Sequence, residues 1–168
     1  MKKVILAAIA VMAFGFANAQ EQTAKGKWLI EANTGFGSNV GSTSFGLTSV
    51  DGETAWNIGA EGGYFVADNL ALKVGLGYGD EGDDSSVFAY KIGAKYYAAN
   101  KFPLEVSYNG VSYKGADENP SYLGLQGGYA WFIGKNVSVE PGIRYNVSLN
   151  DDYFKSAFQF NVGFALHF

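Results

Sequence analysis

Eight charged residues stand in stretches that are otherwise apolar, small or amidic: Glu31, Glu61, Glu105 and Glu140, with Lys73, Lys91, Lys95 and Arg144. The set holds four residues of each sign. Such a set supports two kinds of chemistry. It can line a path for an ion or polar solute, or its members can neutralise one another so that they are buried together. Glu140 and Arg144 are four positions apart. On an extended strand that is about 13 Å, so each must find partners on neighbouring strands, and Gln126, Gln159 and Asn161 are the candidates.

Nucleophilic catalysis finds little here. His167 is the single histidine, no serine adjoins it in sequence, and a Ser-His-acid arrangement would have to be built on it. Enzymatic activity is not expected. With no cysteine there is no disulfide, no thiolate metal site and no lipid-bearing cysteine. No cofactor and no resident metal are expected. The run Asp80-Glu81-Gly82-Asp83-Asp84-Ser85 offers oxygen ligands to a hard cation but lacks the spacing of a calcium loop, so a solvated acidic segment is the expected reading. Asn136-Val137-Ser138 and Asn146-Val147-Ser148 match the glycosylation pattern but fall at or inside one strand.

The elements that must position these residues are strands. From Lys25 onward apolar residues alternate with small or polar ones at period two, between clusters of Gly, Asn, Asp and Ser. The pattern predicts strands at 26–37, 54–65, 70–79, 87–98, 103–111, 121–132, 137–149 and 156–168, each long enough to cross a bilayer at a tilt. Connections 66–69, 99–102 and 133–136 are short, 150–155 is intermediate, and 38–53, 80–86 and 112–120 are longer, the layout of a barrel with turns at one end and loops at the other.

Alternation also decides which face meets what. In the last strand Phe158, Phe160, Val162, Phe164, Leu166 and Phe168 alternate with Gln159, Asn161, Gly163, Ala165 and His167. Lys or Arg facing hydrocarbon at mid-depth costs about 2–4 kcal/mol, so the eight charges must point into the lumen and the apolar set outward. Aromatics gather at two levels, Trp28, Tyr64, Tyr96, Phe102, Trp131 and Phe168 near the turns, and Phe36, Trp56, Tyr78, Phe88, Tyr108, Tyr145 and Phe158 near the loops. These are the expected interfacial girdles.

Register can be anticipated. A turn centred near Ala67 would set Glu61 opposite Lys73, and one centred on Asn100 would set Lys95 opposite Glu105. Asn69-Leu70 through Tyr78 weakly repeats Asn136-Val137 through Tyr145, each restarting a strand after a turn. Pro141 interrupts the second copy and removes a ladder donor, which predicts a bulge or a weakened hydrogen bond.

Met1-Lys2-Lys3, the apolar run Val4 to Phe16 and Ala17-Asn18-Ala19 read as a signal peptide over 1–19, its apolar run too short to span a bilayer. The domain is then 20–168. Without Lys2 and Lys3 that part carries ten basic against 16 acidic residues, which makes nucleic acid an unlikely partner.

The signal peptide, the strand count, the hairpins GGYFVADNLALKVGLGY and GYAWFIGKNVSVEPGIRY and the aromatic strand closing on Phe168 together resemble the small OmpX/OmpA-type outer-membrane β-barrel family. The resemblance covers essentially the whole of 20–168. It implies an all-β fold, an eight-stranded antiparallel up-and-down transmembrane β-barrel in the outer membrane of a Gram-negative bacterium. It implies outer-membrane lipid and lipopolysaccharide as surroundings. It also implies a terminal signal for the insertion machinery, carried here by Phe164, Leu166 and Phe168. A peptidoglycan-binding domain of the kind that follows some such barrels is not expected. The function expected is a monomeric barrel with a plugged polar lumen and a structural or surface-interaction role. The surface for an extracellular ligand would be the loop acids Asp51, Glu53, Asp80, Glu81, Asp83, Asp84, Asp117, Glu118, Asp151 and Asp152, set against Lys114 and Lys155. The lumen is expected to be plugged because eight strands enclose an interior just wide enough for side chains to fill; the alternative is a narrow porin-like channel or conduit for small solutes.

Overall fold

Alternation at period two gives each segment one apolar and one polar face, and antiparallel pairing round a closed circle buries the polar one. A computed structural model describes residues 22–37, 46–50, 53–80, 86–115 and 118–168. The leader 1–19 lies outside the described residues, as do Asp51, Glu81, Asp83, Asp84 and Asp117 and the side chains of Phe36 and Glu53.

The strands are β1 (Trp28–Gly37), β2 (Gly46–Val50), β3 (Glu53–Ala67), β4 (Leu70–Asp80), β5 (Ser86–Ala98), β6 (Phe102–Tyr113), β7 (Ser121–Gly128), β8 (Trp131–Phe132), β9 (Val137–Ser148) and β10 (Ala157–His167). All pairing is antiparallel between wall neighbours, and β1 bonds to both β10 and β3 to close the circle. β7 and β8 make one wall strand and β2 is an addition at the loop end, which leaves an eight-stranded up-and-down barrel.

The barrel is sheared. From Gly37 the paired positions run Gln159, Arg144, Gln126, Glu105, Lys95, Ala71 and Phe65. The Phe65 amide then donates to the carbonyl of Lys27, ten residues below the start on the same strand. With ordinary strand spacings that offset tilts the strands by about 40°.

Three local features depart from the expected strands. First, β2 lies inside the stretch expected to be loop and pairs with the loop end of β3, Val50 opposite Glu53. The Asp51-Gly52 dipeptide between them is the short-range hairpin signal that accounts for it. Second, the ladder lapses at residues 129 and 130, yet the register is kept, with Gly128 opposite Gly142 and Trp131 opposite Val139. Tyr129 donates to the carbonyl of Pro141 at 3.0 Å, and Pro141 has no N–H to return the bond. Pro141 therefore removes a rung without a bulge. Third, the β3–β4 register shifts between Phe65 and Ala67. The turn beyond holds Asn69 at φ 65°, a left-handed position that asparagine adopts more readily than most residues. The turn is therefore centred at Asp68-Asn69 and not near Ala67, which with the shift places Glu61 opposite Gly75 and Lys73 opposite Gly63 and corrects the expected pairing of Glu61 with Lys73. The β5–β6 turn behaves as expected, with Lys95 opposite Glu105.

Outward positions are mostly apolar along the wall, with Thr34 and Ser112 among the exceptions. In β4 Leu72, Val74, Leu76 and Tyr78 are exposed while Ala71, Lys73, Gly75 and Gly77 are buried. All six turn-end girdle aromatics are exposed, and Trp28 packs on Tyr64 at 5.0 Å between centroids. At the loop end Trp56, Tyr78, Phe88, Tyr108 and Phe158 are exposed and Tyr145 packs on Phe158 at 4.5 Å.

Candidate functional site: the charged lumen

Every one of the eight charged residues picked out from sequence is buried in the lumen. They form one connected series in which the sign alternates at each step: Glu140, Lys95, Glu31, Lys73, Glu61, Lys91, Glu105, Arg144. The contacts along it are 2.5, 2.7, 2.8, 2.6, 2.5, 3.2 and 3.0 Å in that order. A further contact of 2.7 Å from Lys73 to Glu105 ties its middle to its end.

The partners are set by the lumen and not by strand adjacency. Lys95 and Glu105 face each other across neighbouring strands, but Lys95 spends its ammonium on Glu31 and Glu140, three wall strands away on either side. Long side chains that all point at one axis meet near it, and an eight-stranded barrel is narrow enough for that. Glu140 correspondingly takes Lys95, Tyr97 Oη at 2.9 Å and Ser138 Oγ at 2.7 Å, and not the amides expected for it. Arg144 does take Gln126, at 3.3 Å, and also Glu105, Ser107, Asn109 and Asn146. Its guanidinium is thereby engaged through all three nitrogens. Gln159 and Asn161 turn to Asn146 and Gln126 instead.

Below the ion layer, toward the turns, lies an apolar floor that is implicit in the strand parity but absent from the sequence-based expectations. Phe65, Tyr97 and Phe132 occupy inward positions and surround His167 at centroid separations of 6.3, 6.0 and 5.2 Å. Leu29, Ala71, Ala130 and Ala165 complete the cluster. The same even-odd count that sends Lys95 inward sends Tyr97 inward, which was the available signal.

The barrel also brings together what sequence held apart, for Ser138 Oγ lies 2.9 Å from His167 Nε2. A hydrolytic triad needs serine and acid on opposite ring nitrogens. Here Glu140 accepts from Ser138 and sits 4.0 Å from that same Nε2, so the three groups form part of the floor's hydrogen bonding and not a relay. Phe164, Leu166 and Phe168 lie about half exposed on the outer face of β10.

No protein-family model matches the chain, and no curated protein matches it. Solved structures do. The N-terminal β-barrel domain of Pseudomonas aeruginosa OprF superposes with a TM-score of 0.54 at 15% identity, covering 86% of this chain and 98% of that one. The fold is that of the small outer-membrane β-barrels. The outer membrane protein OprG of Pseudomonas aeruginosa gives a TM-score of 0.52 at 12% identity over 88% of this chain and 98% of that one. A de novo designed transmembrane β-barrel gives 0.50 at 15% identity over 88% and 99%. The designed protein shares the architecture with a natural one at similar identity, so the likeness lies in strand number, order and closure. Among the described residues no helix is long and apolar enough to cross a membrane, and in such a fold the strands cross.

Proposed function

We propose that this chain is an exported integral protein of a Gram-negative outer membrane, monomeric, with its short turns in the periplasm and its acidic loops outside. In this reading it serves as a structural and surface-interaction barrel whose lumen is filled, and it has no catalytic role. The observation that carries the filled lumen is the alternating series of eight charges. Each member is buried against a partner of opposite sign, so no charge is left to hold a passing ion without displacing a neighbour. Moving one such residue aside exposes another charge unpaired in a low-dielectric interior, at a cost of several kcal/mol.

The outer face supports the membrane reading through its two aromatic levels and the largely apolar belt between them. The surroundings proposed are membrane lipid and lipopolysaccharide, with the insertion machinery reading the closing strand at Phe164, Leu166 and Phe168. The described loop acids Glu118, Asp151 and Asp152 are exposed and available to a cationic ligand or to divalent ions bridging to lipopolysaccharide phosphates. The test is single-channel recording from purified protein in planar bilayers. The expected record is a closed baseline with rare small events; a large, steady unit conductance would replace the filled-lumen reading with the narrow channel.

A further inference from the structure

The start of the described chain does not trail into solvent. Gln22 and Thr23 are buried, ahead of the first wall strand, and they lie at the turn end of the lumen. The side-chain amide of Gln22 donates to the carbonyls of Gly134 and Lys135, in the turn between β8 and β9. Thr23 Oγ1 donates to Asn69 Oδ1 at 2.5 Å and the Thr23 carbonyl accepts from the Asn69 amide at 2.7 Å, while the Lys25 amide donates to Asp68 at 2.9 Å. Asp68 and Asn69 form the turn between β3 and β4. In the wall order these two turns are four strands apart in either direction, so adjacent residues of one short segment tie together opposite sides of the mouth. Beyond it lies the floor around His167, itself buried.

We propose that residues 22–25 are a detachable strap that seals the turn end of the lumen, so that solvent reaches His167 and the ion layer behind it only while the strap is undocked. The wall strands are held by continuous ladders shared with two neighbours. The strap is held by separate hydrogen bonds to two turns, and a short segment held in that way opens locally without unfolding the sheet it rests on. Its docking groups suit reversible closure: an amide and a hydroxyl that water can replace, not an apolar anchor.

His167 is the only histidine of the chain, which makes it a reporter of the floor. The experiment uses the folded protein in lipid nanodiscs and follows acylation of His167 by diethyl pyrocarbonate with mass spectrometry. The double variant Gln22→Ala, Thr23→Val is expected to react about tenfold faster than the parent, with an unchanged heat-modifiable gel shift. Equal rates in a folded variant would overturn the proposal. A second variant, Thr23→Cys with Asn69→Cys in this cysteine-free chain, locks the strap when oxidised. Its acylation is expected to stop on oxidation and to return on reduction; a locked protein that reacts at the parental rate would also overturn it. The proposal rests on the filled-lumen reading only for closure from the loop end. Conductance tests that reading and histidine reactivity tests the strap, so each can fail without the other.

Discussion

The guanidinium of Arg144 lies against Gly124: a Cβ built on that glycine would sit 1.8 Å from Nη2 and 2.4 Å from Cζ. Glycine at 124 is what allows the arginine to reach Glu105, Ser107 and Asn109 together. Gly124→Ala should therefore displace the guanidinium and leave Glu105 short of one cation, destabilising the barrel by about 3–5 kcal/mol. Urea unfolding of the refolded protein in lipid vesicles measures it. A loss under about 1 kcal/mol would mean that the arginine has an equally good second position.

Position within the alternating series should matter more than charge itself. Lys73 touches Glu31, Glu61 and Glu105, so Lys73→Met leaves a cluster of carboxylates with too few cations and should cost about 3–5 kcal/mol. Glu140 is the end of the series, and Glu140→Gln keeps an oxygen for Ser138 and Tyr97 while Lys95 keeps Glu31. Its cost should be clearly smaller, about 1–2 kcal/mol. Equal losses in parallel unfolding experiments would show that the network is not organised as described.

Pro141 withholds one rung from the wall beside Tyr129. Pro141→Val should supply an amide to the Tyr129 carbonyl. The new bond is worth about 1 kcal/mol, reduced by the greater freedom of the unfolded chain. The measurement is hydrogen exchange at the amide that the substitution introduces, expected to be as slow as its neighbours in β9. Fast exchange there would place the missing rung elsewhere.

Phe168 closes the wall through its backbone, donating to Trp28 at 3.0 Å and accepting from the Trp28 amide at 2.6 Å, while its ring lies about half exposed on the outer face. Phe168→Ala keeps both bonds. Refolding in vitro should then be nearly normal, whereas the amount of folded protein in cellular outer membranes should fall severalfold, more than for any lumen-charge variant. Parental levels in the membrane fraction would remove Phe168 from the proposed assembly signal.

How much of this was legible in advance differs by level. The inward set was readable in full, because in a strand the count modulo two fixes the face: Glu31, Glu61, Lys73, Lys91, Lys95, Glu105, Glu140 and Arg144 all point inward. Strand number and the short turns followed from the same alternation. The Tyr97 and Phe132 floor was carried by that count as well, although aromatic type alone fits an interfacial girdle equally well. The β2 pairing was signalled by Asp51-Gly52. The strap was not signalled, since Gln22 and Thr23 lie ahead of the periodic region and carry no pattern.

The sequence by itself determined which residues share the lumen; only the tertiary structure decided which of them meet. Lys73 reaches Glu61 although the turn, centred at Asp68-Asn69 and not at Ala67, keeps the two out of direct opposition, and Lys95 passes over facing Glu105 for Glu31 and Glu140. The reason is geometric. Any even offset round the wall keeps the same side chains inside, so alternation is blind to its size. The ten-residue offset sets the level at which each strand delivers its charge to the axis, and with it the order in which the signs alternate.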